Sequence, residues 1–92
     1  MITAIVMIKA EVDRIPEAAE AIAALDGVEE VYSVTGEWDL IAVVKVREHE
    51  ELADLIPGRL NKVSGVLHTE THIAFRTYSS RELDAAFAIG LD

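Results

Sequence analysis

Residues 28–47, with the sequence VEEVYSVTGEWDLIAVVKVR, contain two strand-like segments joined by a short turn. Residues 28–35 and 39–47 are rich in β-branched side chains, which pack well on a pleated surface. The three residues between them, GEW at 36–38, make a connection short enough for a β-hairpin. This stretch therefore predicts two neighbouring antiparallel strands.

The segments before this hairpin predict a strand and a helix. Residues 2–12 have apolar side chains at every even position, which is the period of a strand. Residues 14–26 carry apolar side chains at helical spacing. Pro16 suits the first turn of that helix, since its missing N–H costs nothing there, and Gly27 suits its end.

The segments after the hairpin predict a second helix, a fourth strand and a short C-terminal helix. Residues 49–62 have helical spacing, but Pro57-Gly58 interrupts them, so we expect a break there. Residues 66–78 are expected to form the strand. The tail, residues 79–92, has apolar side chains at helical spacing and predicts the last helix.

The element order βαββαβ is typical of an α+β fold, the ferredoxin-like sandwich, in which two helices cover one face of a four-stranded antiparallel sheet. The third strand, however, is apolar on both faces, with Ile41 and Val43 on the face opposite to Ala42. The helices can cover only one face, so a second subunit is the simplest cover for the other. We therefore expect a dimeric α/β-barrel arrangement built from one domain, residues 1–92.

Composition and charge exclude several classes of protein. The chain has 17 acidic and 8 basic residues and a net charge of −9, which would repel a phosphate backbone, so we expect no direct nucleic-acid binding. No cysteine is present, which excludes disulfides and thiolate metal sites. Charges interrupt every apolar stretch before it reaches the roughly 18 residues of a membrane span. No signal-peptide pattern follows Met1, so we expect a cytoplasmic protein.

Catalytic and metal-binding patterns are weak. The strand residues His68, Glu70 and His72 share one face, but the two histidines lie about 13 Å apart and cannot reach one ion. The sequence has no P-loop, dinucleotide-binding or serine-hydrolase motif. We therefore expect no metal, no cofactor, no catalytic residue and no enzymatic activity.

The turn TGEWD at residues 35–39 is a candidate binding site. Gly36 permits a tight turn and exposes backbone N–H groups. Asp39 either offers its carboxylate to an ammonium group or hydrogen-bonds to the turn itself, and both interpretations remain open. Trp38 is the only tryptophan, and because an exposed indole is costly we expect it at an interface or a ligand.

Two threonines form a second candidate. Thr69 and Thr71 share the strand face opposite the two histidines. Their hydroxyl groups are either satisfied within the sheet or directed at a polar ligand.

Two segments, VEEVYSVTGEWDL at 28–40 and GVLHTETHI at 65–73, together resemble the Lrp/AsnC ligand-binding domain, also called the RAM domain for regulation of amino-acid metabolism. The resemblance implies sandwiches whose sheets face each other in a homodimer, with dimers assembled into octamers or decamers. It also implies an amino-acid effector bound between dimers.

Position by position, the resemblance assigns the effector site to the residues Thr35, Gly36, Asp39, Thr69 and Thr71. Asp39 would meet the effector's ammonium group, whereas the exposed N–H groups and the threonine hydroxyls would meet its carboxylate.

The resemblance implies an effector-binding and oligomerisation module that acts in transcriptional regulation of amino-acid metabolism. Full-length regulators of this family carry a helix-turn-helix domain, which this sequence does not show, so we expect a stand-alone module. Such a module either senses an effector in its own homo-oligomer or co-assembles with full-length paralogues, and both alternatives remain open. The alternative is a small dimeric α+β-barrel enzyme, of the monooxygenase or isomerase type, with His68 or His72 as its acid–base group.

Overall fold

The computed structural model describes residues 1–80 of the 92-residue chain. They form the strands and helices β1 (Ile2–Ala10), α1 (Ile15–Ala23), β2 (Val28–Ser33), β3 (Leu40–Val46), α2 (His49–Leu55) and β4 (Val66–Ile73). Short 3₁₀ helices lie at Val12–Arg14 and Leu60–Lys62. The predicted βαββαβ order is confirmed. The predicted tail helix, 79–92, lies outside the described residues from residue 81 onward.

The four strands form one antiparallel sheet in the order β2-β3-β1-β4. The central strand β1 pairs with β3 on one side and β4 on the other, so that Ile8 stands opposite both Leu40 and Thr69. Paired residues share a face of a sheet and successive residues alternate. The register therefore assigns every strand side chain either to the face that carries the helices or to the opposite face, which we call the open face.

The core lies between the sheet and the two helices. Side chains from β1, β3 and both helices meet there, with no solvent exposure at Val6, Ile8, Ile22, Leu40, Val44 and Leu55. No polar or charged side chain is buried anywhere in residues 1–80. Burial of apolar surface therefore supplies the main stabilisation of this layer.

Two predicted strands end earlier than their patterns suggest. β1 ends at Ala10, because the next N–H group, that of Glu11, donates to the carbonyl oxygen of Gly65 and the chain turns into a 3₁₀ helix. The predicted strand β4 was extended to residue 78, but the structure ends it at Ile73. Its neighbour β1 begins at Ile2, and the N–H of Ala74 donates the last bond, to Thr3.

The break predicted in the second helix is confirmed and shortens the helix to His49–Leu55. Proline at position 57 cannot donate an N–H group to the helix ladder. At Gly58 the chain packs so closely that a Cβ atom would collide with the carbonyl oxygen of Asp54. The first helix and the hairpin strands are likewise shorter than predicted, by one or a few residues at their ends.

Within residues 1–80, none of the helices has the length and apolar character that crossing a membrane would require.

The contrast between two valines tests the assigned core. Val6 is fully buried, whereas Val12, which the alternating pattern placed on the same face, is 88% exposed because β1 ends before it. Val6→Ala should lower the free energy of unfolding by about 2–3 kcal/mol, since it removes two buried methyl groups and leaves a cavity. Val12→Ala, the matched control, should change it by less than about 0.5 kcal/mol. Urea denaturation at fixed protein concentration measures both, and equal losses would contradict the assignment.

Candidate functional site

The turn between β2 and β3 is fastened to the end of the central strand. The N–H of Asp39 donates to the carbonyl oxygen of Ile8 at 3.0 Å. In return, Oδ2 of Asp39 accepts a hydrogen bond from the N–H of Ala10 at 2.9 Å. The sequence left two roles open for this carboxylate, and the structure shows it bonded within the protein, to the neighbouring strand.

Lys9 adds a second tie between β1 and the turn. Its Nζ donates to the carbonyl oxygen of Glu37 at 2.8 Å and lies 3.9 Å from Oδ2 of Asp39. The side chain of Asp39 is only 21% exposed, whereas that of Lys9 is 47% exposed. The carboxylate is therefore largely covered, and the ammonium group beside it still reaches solvent.

The side chain of Trp38 connects the turn with the edge strand β4. Its ring stacks on that of His68, with 5.8 Å between the centroids and 18° between the planes. His68 is also the register partner of Lys9, so the lysine lies beside the stacked rings. The indole is thus partly covered by a residue of its own chain.

The tip of the turn presents unused hydrogen-bond donors. The N–H groups of Val34 and Asp39 are bonded, but those of residues 35–38 have no acceptor within the described part of the chain. Gly36 adopts a φ of +103°, and the space where its Cβ would lie is open. Backbone N–H groups without an acceptor in the protein can donate to an anion or to a carbonyl oxygen of a ligand.

The two threonines lie on β4, on the face that carries the helices. Thr69 and Thr71 pair with Ile8 and Val6 of the core, as predicted from their alternation with the histidines. The hydroxyl of Thr69 donates to Oδ1 of Asn61 at 2.7 Å, whereas the side chain of Thr71 is exposed.

A shallow pocket of about 290 Å³ adjoins Thr69. Its lining residues are Asn61, Val66, Leu67, His68 and Thr69. His68 therefore belongs to this pocket and, through its stack on Trp38, to the turn as well.

The five predicted site residues fall into two groups. Thr35, Gly36 and Asp39 share the turn, while Thr69 and Thr71 share β4. No hydrogen bond among the described residues joins the two groups directly, and the connection runs through the stacked rings. We call the turn, the end of β1 and this pocket together the turn site.

Two residues of the turn site, Lys9 and Asn61, were not predicted from the sequence, and neither was the stacking of His68 on Trp38. Lys9 and Asn61 meet their partners across other elements, so no local motif marks them. The one available signal is the change from apolar to polar side chains on the open face of β1 at Lys9.

The open face of the sheet is apolar at its centre and polar at the β4 edge. The central side chains are those of Ile5, Met7, Tyr32, Ile41 and Val43. At the edge, Nε2 of His72 lies 2.8 Å from Oε2 of Glu70.

Among the described residues, the titratable side chains of the open face include one with a shifted pKa and form no metal-binding cluster. A hydrogen bond with Glu30 raises the pKa of the Tyr32 hydroxyl above its ordinary value. Within residues 1–80, no cluster of three or more acidic or histidine side chains could hold a metal ion.

A second cleft, of about 530 Å³, lies at the other end of β1, far from the turn. We call it the charged cleft, and its charged lining residues are Asp26, Lys45, Arg47, Glu51, Asp54 and Arg59. Its acidic and basic side chains balance in number, and its floor is formed by the buried residues Val46 and Leu55.

The sheet, its two helices and the exposed turn define a small α+β domain with a ligand-sized surface site. The sequence model of the Lrp/AsnC ligand binding domain matches residues 3–83. The crystal structure of TTHA0845 from Thermus thermophilus is similar, with 47% identity and a TM-score of 0.81, and the match covers 86% of this chain and 99% of that one. The chain therefore belongs to the Lrp/AsnC ligand-binding domain family, as the resemblance indicated.

Curated relatives are longer proteins named as transcriptional regulators. PH1916 of Pyrococcus horikoshii, an uncharacterised helix-turn-helix-type regulator, is 41% identical over 61 residues, which make up 66% of this chain and 41% of that protein. The chain spans half or less of the length of the curated relatives it matches.

A more distant structure shares only the fold. The transcriptional regulator NMB0573 of Neisseria meningitidis, crystallised as a complex with L-Met, has a TM-score of 0.75 at 13% identity, over 86% of this chain and 54% of that one.

The bond from Ala10 to Asp39 predicts a difference between two substitutions. Asp39→Ala should lower the free energy of unfolding by about 1–2 kcal/mol, because it leaves the Ala10 N–H group without its acceptor. Asp39→Asn keeps an acceptor oxygen and should cost clearly less. Urea denaturation of both variants measures the difference. An unchanged stability of the alanine variant would show that the carboxylate does not hold the turn.

Proposed function

We propose that this chain is an amino-acid-binding and oligomerisation module that acts in transcriptional regulation. The observation that carries the proposal is the turn site itself: the N–H groups of residues 35–38 have no acceptor among the described residues, and Trp38 of the same turn stacks on His68, which lines the pocket that contains Thr69. The family to which the chain belongs is a ligand-binding domain of regulators, which supports the same function.

The chemistry of the turn site suits a small zwitterion. Backbone N–H groups and threonine hydroxyls donate to carboxylates, and the pocket of about 290 Å³ has room for a small side chain. L-methionine, the ligand named for the Neisseria regulator of the same fold, is a molecule of this size and charge. We therefore place the effector against Thr35, Gly36, Asp39, Thr69 and Thr71.

The open face supports self-association. Ile5 is 38% exposed and Tyr32 48% exposed, and they flank the partly buried side chains of Ile41 and Val43. A contiguous apolar centre with polar edges is typical of an interface between identical subunits. We propose a homodimer that pairs two open faces and assembles further into an octamer or decamer. Co-assembly with full-length Lrp/AsnC regulators is part of the same proposal.

No observation favours the barrel-enzyme alternative. Such an enzyme needs acid–base groups directed into a cavity between the sheet and the helices. In residues 1–80 that layer contains only apolar buried side chains, and His68 and His72 lie on the other face of the sheet.

Effector binding can be tested at Thr71, whose hydroxyl makes no hydrogen bond within the described residues. Isothermal titration of the twenty amino acids should find one or a few that bind the wild-type protein. Thr71→Val should weaken that binding about 3- to 10-fold, because one hydrogen bond is lost. Thr77→Val, an exposed threonine beyond the far end of β4, is the matched control and should bind normally. Wild-type protein that binds none of the twenty would contradict the proposal.

The proposed interface can be tested with a charge at the centre of the open face. Val43→Asp should reduce the assembly to monomers, because each interface would bury carboxylates without partners. Val12→Asp places the same charge on an exposed residue outside the sheet and should leave the assembly intact. Light scattering after size-exclusion chromatography gives the mass of each variant. If Val43→Asp kept the mass of the wild-type assembly, the open face would not be the interface.

A further inference from the structure

We propose that the turn site recognises the carboxylate group of its effector through Lys9, and that Asp39 is an internal counter-ion rather than the ammonium-binding group. The effector class would then include 2-oxo acids, which have the carboxylate but no ammonium group. This inference rests on the proposed function, because it concerns the ligand of the same site.

The carboxylate of Asp39 already has two partners within the chain. Its Oδ2 accepts the Ala10 N–H and lies 3.9 Å from the ammonium of Lys9, and its side chain is only 21% exposed. An effector's ammonium group that bound Oδ1 of Asp39 would lie close to the ammonium group of Lys9, which already balances the charge of this carboxylate. Because two ammonium groups repel each other, a free ammonium gains less at Asp39 than at a carboxylate without a basic neighbour.

The ammonium group of Lys9 has N–H donors that are not used within the described residues. An ammonium group carries three N–H donors, and the carbonyl oxygen of Glu37 is its only hydrogen-bond acceptor within the described residues. Its side chain is 47% exposed, and the unused N–H groups of residues 35–38 lie in the same turn. Charge-assisted hydrogen bonds from lysine to a carboxylate are about twice as strong as neutral ones.

Three sources of negative charge oppose this interaction: the carboxylate of Asp39 beside Lys9, the side chain of Glu37, and the net charge of the chain. Glu37 stands in the turn with an exposed side chain, and the chain as a whole carries −9. Charges beyond about 8 Å are largely screened at physiological salt, so the overall charge has a small effect at the turn. Recognition therefore depends on short-range donors. Glu37→Gln should strengthen binding modestly, because it removes a negative charge from the turn.

The test compares ligands that differ in one end group. Isothermal titration is done with the twenty amino acids and with the 2-oxo acids and amines that have the side chains of valine, leucine, isoleucine, methionine and phenylalanine. For the side chain that binds, the amino acid and the 2-oxo acid should have affinities within about threefold of each other. The amine, which lacks the carboxylate, should not bind.

Substitutions separate the two roles. Lys9→Met should weaken binding of the 2-oxo acid about tenfold or more. Lys45→Met removes a similarly exposed, ion-paired lysine at the other end of the sheet and should have no effect. Asp39→Asn, which keeps the acceptor oxygen, should bind amino acid as tightly as wild type or more tightly. If Asp39 were the ammonium partner, this variant would instead lose most of its affinity.

The outcomes are distinguishable. An amino acid that binds while its 2-oxo acid does not, or that loses affinity in Asp39→Asn, overturns this inference and leaves the proposed function standing. A wild-type protein that binds neither class overturns both. Light scattering on each variant shows whether the assembly is intact, and Asp39→Asn decides the question even if Lys9→Met does not fold.

Discussion

The helices of this domain cover one face of a sheet that is apolar on both, and the rest of its organisation depends on that constraint. Val6 and Ile8 of β1 are sealed under the helices, while Ile5 and Met7, on the same strand, face outward. A strand that is apolar on both faces is stable in water only when both are covered. The open face is therefore the surface that the homodimer proposed above would cover.

The same central strand places the turn site. Because β1 pairs with β3 and β4 at once, its last residues lie between the turn that precedes β3 and the beginning of β4. Lys9 and Ala10 hold the turn, and His68 supports Trp38 from the other side. The turn site is thus built on strand ends within a rigid sheet, while its donors remain at the surface.

The sequence predicted the fold well because each element has its own period. The alternation of the strands, the helical spacing of residues 15–23 and the break at Pro57 are local properties, and the structure confirms them. The strand ends were predicted less well. Val12 continues the apolar alternation of β1, and residues 75–78 directly follow β4 along the chain, but neither segment has a neighbouring strand to pair with. The roles of Lys9, Asn61 and His68 were missed for a related reason. Each depends on a partner brought close by strand pairing or by the chain between α2 and β4, and no spacing along the chain reveals such a pair.

The central claim is that an amino acid or related carboxylate binds at the turn between β2 and β3. It is tested most directly by following the backbone amide signals of isotope-labelled protein by nuclear magnetic resonance during a ligand titration. The account predicts saturable shifts of the amide signals of residues 35–38, whose N–H groups have no acceptor within the described chain, together with the indole signal of Trp38. Shifts concentrated at Arg47 and Arg59 in the charged cleft, or no saturable shift anywhere, would contradict it.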